Sequence, residues 1–199
     1  TQGDTGITGD TGVTGDTGAQ GDTGVDGDTG VAPTGQIFLT AAGGWPSTTN
    51  GCAPPTKTEY VTNDMDLYSL DFDPDSDEFA QWSLVMPSDW DGGTITGTFY
   101  WTYATGDTGA TVEWNIQGRA YGNDEAIDQA WGTAQNVNDA ALAPADVHIS
   151  AATSAATLAG TPAAGEFVQF RGARDGDTGV DTLGGDARLL GVMVTFTRS

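Results

Sequence analysis

The sequence predicts an all-β, jelly-roll-like sandwich head that forms a homotrimer, preceded by a Gly-X-Y triple-helical stalk. Three observations carry this. Glycine stands at every third position from Gly3 to Gly30, the period that lets three polyproline-II-like chains pack about one axis. From Pro33 that period stops, and short alternating apolar runs follow, separated by Gly, Pro, Asn and Asp clusters, as in many short strands joined by turns. The third is charge: 28 Asp and Glu stand against 6 Lys and Arg, a formal net charge of −22 over 199 residues. The domains divide as a stalk over residues 1–32 and a head over residues 33–199.

In the stalk, Gly3, Gly6, Gly9, Gly12, Gly15, Gly18, Gly21, Gly24, Gly27 and Gly30 each open a triplet, five of which begin Gly-Asp. A flexible acidic linker would tolerate this composition but gains nothing from an unbroken period. Thr1-Gln2 fits the end of an earlier triplet, so the repeat is expected to continue upstream. Ten triplets at about 3.1 Å per residue make a rod of roughly 90 Å, a spacer. The triplets hold no Pro, so nothing pre-sets φ and the ordering cost is high. Asp4, Asp10, Asp16, Asp22, Asp26 and Asp28 face no Lys or Arg in the stalk, so three aligned chains repel one another. Salt screens part of this, and divalent cations such as Ca²⁺ bridging the carboxylates would offset more. The rest is assigned to the head, which trimerises first and holds three chain starts together.

In the head, Ile95, Gly97, Phe99, Trp101 and Tyr103 alternate with Thr94, Thr96, Thr98, Tyr100 and Thr102, which predicts a half-buried strand. Ala110–Ala120 repeats the pattern, with Val112, Trp114 and Ile116 opposite Glu113, Asn115, Gln117 and Arg119. The turn residues between them predict an antiparallel hairpin. Further strands are expected at Gln36–Thr40, Thr58–Thr62, Asp66–Phe72, Phe79–Met86, Ala145–Ser150, Gly165–Ala173 and Arg188–Thr197, eight or nine in all. Asn123 as a cap, acids in the first turn and Gly132 past the end predict one short helix over Asp124–Trp131. Many short strands in a segment of this size favour a jelly roll over a ligand-holding barrel.

The charge excludes whole classes of function. Without a basic cluster it repels nucleic-acid phosphates and anionic lipid headgroups, and apolar runs of a few residues exclude a membrane-spanning helix. One Cys excludes an intrachain disulfide. No leader sequence is expected within the chain.

Candidate chemistry is sparse. Asp71, Asp73, Asp75, Asp77 and Glu78 place five carboxylates in eight residues, a density that suits Ca²⁺. Ser76 and Trp82 fall where a calcium-binding helix–loop–helix needs Gly and Glu, so a solvated acidic turn is the simpler account. Asp146, His148 and Ser150 share a strand face, but same-face neighbours lie roughly 6.8 Å apart, too far for a nucleophile and its base; a polar outer face is expected. Motifs for dinucleotide, phosphate, zinc-protease or serine-hydrolase chemistry do not occur, and no enzyme and no organic cofactor is expected. Trp45, beside Gly43-Gly44 and Pro46, and Tyr121, beside Gly122, read as loop-like aromatics able to stack on a glycan. Cys52 has no basic neighbour in sequence and reads as a small buried residue.

The repeated Gly-Asp-Thr-Gly ahead of a β head resembles the collagen-like fibres of bacteriophages and the collagen-like glycoproteins of bacterial spore coats. Met86-Pro87-Ser88-Asp89-Trp90-Asp91-Gly92-Gly93-Thr94-Ile95-Thr96, leading into Phe99-Tyr100-Trp101-Thr102, is similar to C-terminal domains of phage and prophage structural proteins. That likeness extends through Leu70–Asp73, Ile116–Ala120, Ala151–Ser154, Gly160–Glu166 and Ala187–Gly191. It implies a virion fibre on tail or capsid, extracellular on the virion surface. Its N-terminal side would join other virion proteins, and its head would contact a host-surface glycan or outer-membrane component. The alternatives are a purely structural cap that nucleates the triple helix and binds nothing and, as a third reading, an enzyme that cleaves surface polysaccharide and would release reducing ends from a host glycan.

Overall fold

The computed structural model describes residues 1–4, 6, 32–104 and 107–199. The chain divides into two units, Thr1–Val31 and Ala32–Ser199. Gly9, Gly12, Gly15, Gly18, Gly21, Gly24, Gly27 and Gly30 lie outside the described residues. Gly3 and Gly6 have nothing within 4 Å of a Cβ position; an axis crowded enough to demand glycine is a property of three chains.

The second unit is an all-β sandwich of two antiparallel sheets. Its strands are β1 (Thr34–Thr40), β2 (Trp45–Pro46), β3 (Thr56–Tyr60), β4 (Met65–Phe72), β5 (Glu78–Val85), β6 (Trp90–Thr102), β7 (Thr111–Tyr121), β8 (Gln135–Ala140), β9 (His148–Ile149), β10 (Phe167–Arg174) and β11 (Ala187–Arg198). The six-stranded sheet runs β3-β4-β11-β6-β9, with β1 also paired to β11; the five-stranded sheet runs β2-β5-β10-β7-β8. Consecutive strands from β4 to β7 alternate between the sheets, a jelly-roll-like winding.

The inward faces are those that the pleat period marks. Phe99 and Trp101 from β6 meet Trp114 from β7. Phe99 and Trp114 stack with centroids 5.3 Å apart at 8°, and Phe72 meets Trp114 edge-on at 5.3 Å. Such pairs contribute about 0.5–1.5 kcal/mol each beyond the area they bury. At one end of the core Arg174 is wholly buried. It forms a fork with Asp181 at 2.9 and 2.8 Å and donates to the carbonyls of Phe72, Gly185 and Leu183. Every guanidinium nitrogen is thus occupied, the condition under which a buried ion pair is tolerated.

Four expectations are corrected. Both predicted strands of the hairpin exist, but they do not pair. β6 pairs β11 and β9, and β7 pairs β10 and β8, so the two strands lie in different sheets. The reason is the aromatic stack itself: two strands with large inward rings bury more by facing each other than by lying side by side.

The Asp124–Trp131 helix is a run of turns and irregular chain. Asp124 takes φ 66°, which an α-helix excludes. Side chains of β7 hold the segment instead: Arg119 donates to Ala130 O at 3.0 Å and Tyr121 Oη donates to Ile127 O at 3.0 Å.

His148 and Ser150 point inward rather than outward, leaving Val147 and Ile149 exposed. His148 Nε2 accepts from Leu142 N–H at 2.9 Å, and Ser150 Oγ accepts from Phe99 N–H at 2.9 Å while donating to Ala151 O at 2.7 Å. Satisfying buried backbone groups outweighs solvating these two side chains.

The polar face of β7 is covered as well. Glu113, Asn115, Gln117 and Arg119 are all buried, under contacts from Asn136, Thr178 and the 129–132 segment.

Candidate functional site

The outward face of the five-stranded sheet gathers the aromatic and amide side chains of this chain into rows. Antiparallel partners directly opposite each other project from the same face. In one row Trp45 lies opposite Gln81, Gln81 opposite Arg171, and Arg171 opposite Gln117. Two residues along the strands come Ser83, Gln169 and Arg119; two further come Val85, Phe167 and Tyr121. Gly44 fixes the outward turn of Trp45. A Cβ there would stand 2.7 Å from the Trp82 indole, so the backbone closes on the core and the next side chain is sent to solvent. Trp45 remains 41% exposed.

The rows are hydrogen-bonded across strands. Gln169 Nε2 donates to Gln81 Oε1 at 2.6 Å, and Gln81 Nε2 donates to Ser47 Oγ at 2.7 Å. The Gln117 carboxamide, oriented to satisfy both ends, accepts from Arg171 Nε at 3.0 Å and Nη2 at 2.7 Å and donates to Gly132 O at 2.9 Å. The Arg171 guanidinium lies over two rings, its Cζ 4.2 Å from the Phe79 centroid and 5.0 Å from that of Trp131. Burial lowers its pKa from the usual arginine value; the rings partly restore what lost hydration costs.

At one corner Tyr121 and Phe167 stand 6.0 Å apart at 45°. With Ser83, Glu125, Ile127 and Gln169 they line a cleft of about 350 Å³, within the range that small ligands occupy. Apolar ring faces beside amide, hydroxyl and carboxylate groups suit a ligand with an apolar face and a hydroxyl rim, the description of a pyranose. Trp45 and Tyr121, far apart in sequence, are thus on one platform, roughly 20 Å apart by strand spacing and rise.

The acidic cluster of the 71–78 turn is divided. Asp71 accepts from Ser69 Oγ at 2.6 Å and pairs with Arg188 at 3.5 Å. Asp73 accepts from Asp75 N–H at 2.8 Å, and Glu78 accepts from Asp73 N–H at 2.7 Å, which closes the turn on itself. Asp75 contributes its backbone rather than its carboxylate to that closure. Burial pushes the Glu78 carboxyl above its ordinary pKa. Asp77 leaves this group. It meets Asp175 and Asp177 with carboxylate oxygens within 4.8 Å of one another, the arrangement among the described residues able to offer three oxygens to a cation. Burial, the hydrogen bond to Asp77 and the charges of Asp77, Glu113 and Asp177 push Asp175 up to about 7. Asp175 and Asp177 carry no sequence signal, because they enter from the β10–β11 connection about a hundred residues away.

Cys52 is buried, and burial, with the charges of Glu78 and Asp71 beside it, pushes its thiol up to about 12. Such a thiol is a packing group. Asp146 is exposed while His148 and Ser150 face inward and serve backbone groups.

These features define an all-β sandwich with one polar–aromatic sheet face. No family model and no curated protein matches the chain. Among solved structures it is similar to CBM35 from Cellvibrio japonicus Abf62, at 10% identity and a TM-score of 0.43, over 83% of this chain and 99% of that one. It is similar also to TmCBM61, solved in complex with β-1,4-galactotriose, at 12% identity and a TM-score of 0.33, over 83% of this chain and 89% of that one.

Sequence reasoning missed Gln81, Gln169, Arg171, Phe79, Phe167 and Trp131. Alternation in Phe79–Ser83 and Phe167–Arg171 marks a polar face on each strand, but only the register makes one surface of them.

Proposed function

We propose that this chain is a subunit of a trimeric, collagen-like virion fibre, borne on tail or capsid, whose head contacts a host-surface glycan through the outward face of the five-stranded sheet. The unbroken glycine period and the phage-like Met86–Thr96 stretch support the fibre. The observation that carries the glycan contact is that Trp45, Tyr121, Gln81, Gln169 and Arg171 share one outward face. The stalk holds that face away from the particle and the N-terminal side joins other virion proteins. The test is retention of the full chain on immobilised host-surface polysaccharides. Saturable binding to a subset, lost when Trp45 and Tyr121 are both replaced by Ala, supports the reading. A chain that binds none of them but loses its triple-helical signal when the head is unfolded is a structural cap.

A further inference from the structure

The opposite face, on the six-stranded sheet, differs in kind. In β1, β11 and β6 the outward side chains include Phe38, Met193, Thr98 and Tyr100, with Phe38 and Tyr100 edge-on at 5.3 Å. Leu190 turns outward at a register shift between Leu189 and Gly191, and with Phe38, Tyr100, Leu67 and Tyr68 it lines an apolar groove of about 280 Å³. Ile149, opposite Tyr100, extends the patch. Thr34–Thr40, Leu189–Thr197 and Gly92–Thr102 contain no charged residue. Charges return at the margins, as the ion pairs Arg188–Asp71 at 3.5 Å, Arg198–Asp89 at 3.4 Å and, on β3 and β4 with Glu59 nearby, Lys57–Asp66 at 2.7 Å.

We infer that this uncharged face is where the copies of the chain meet. Two arguments select a second copy rather than another partner. The first is repulsion: a molecule of charge −22 can approach its own kind closely only through a surface that brings no carboxylates together, and an apolar centre with a charged rim is the ordinary anatomy of such a contact. The second is reach. Gly30, the last repeat glycine, precedes Thr34 by four residues, a span of at most ~14 Å. Chains wound on one axis therefore keep the starts of their β1 strands within a short tether of one another, and β1 carries Phe38. This inference rests on the trimeric reading above and adds the surface to it.

The test is sedimentation of the full chain and three variants across a concentration series, with far-UV circular dichroism to confirm a folded head. Phe38→Asp and Thr98→Asp place a carboxylate on the proposed contact; both sites are at least partly exposed, so the fold should persist. Ser83→Asp adds the same charge to the exposed edge of the other face. The inference expects a wild-type trimer, a trimer for Ser83→Asp, and association weakened about 100-fold or more for the other two. A wild-type trimer that survives Phe38→Asp and Thr98→Asp unweakened overturns the assigned surface and leaves the trimer standing. A wild-type monomer overturns both. If a variant fails to fold, Phe38→Ala replaces it: weakened association supports the surface, and a trimer as tight as the wild type counts against it.

Discussion

The two outward faces of this sandwich come from strands of similar length and the same pleat, yet they differ in what they present. The five-stranded sheet shows amides, arginines and aromatic rings in hydrogen-bonded rows. The six-stranded sheet shows threonine, methionine, phenylalanine and tyrosine on β1, β11 and β6, with its ion pairs at the ends of those strands and on β3 and β4. Both faces rest on one aromatic core, so the difference is not needed for folding. A face with oriented polar groups can select a hydroxylated ligand, whereas an uncharged apolar face in so acidic a chain suits self-association.

Removing what the faces share should have the largest effect. Arg174→Ala leaves Asp181 buried without its cation and strands three carbonyls, and should destabilise the head by about 3–5 kcal/mol, read as a fall in the denaturant midpoint. If it costs less than 1 kcal/mol, the core does not depend on that pair. Next come changes that should separate the faces. Trp45→Ala and Tyr121→Ala should each lower glycan retention about tenfold while leaving the sedimenting mass unchanged; a change in mass instead would mean that the two faces are not independent. Arg171→Leu removes the cation over the Phe79 and Trp131 rings and should cost about 1–2 kcal/mol, with retention reduced and mass again unaltered.

The smallest effect concerns pH. Asp175 has its pKa raised from 3.8 to about 7 in the folded protein, so between those values the folded state holds a proton that the unfolded chain has released. Stability should therefore fall as pH rises through that window and level off above it. Asp175→Asn should flatten this fall and raise the melting temperature by a few degrees at pH 8. An unchanged pH profile would mean that the Asp77–Asp175–Asp177 group does not share a proton.

Much of the head was legible because its strands alternate. Phe99, Trp101 and Trp114 were placed inward from periodicity alone, and they are inward. Their pairing was not legible: turn residues between β6 and β7 do not say whether the two strands share a sheet, and the choice lies with long-range packing. β8 went unnoticed because Gln135-Asn136-Val137-Asn138-Asp139-Ala140 has little strand propensity; β7 recruits it as an edge. The false helix at Asp124–Trp131 had sound capping signals that lost to Arg119 and Tyr121 reaching from β7. Trp45 and Tyr121 read as loop-like aromatics, but they stand on β2 and at the end of β7, with Trp45 exposed and Tyr121 half-buried, because strand pairing reaches into their Gly-flanked segments; their membership of one face was not legible.

By itself, then, the sequence determined the period-three glycine segment, the change of pattern near residue 33, the acidic character and the inward side of most strands. These are local regularities, set by backbone geometry over a few residues. Only the tertiary structure decided which strands are neighbours, that Asp77 meets Asp175 and Asp177, and that Trp45, Gln81 and Arg171 lie in one row. The pleat tells each strand which side is in, but neighbour and register are fixed by packing between segments tens of residues apart, where one-dimensional pattern carries no distance.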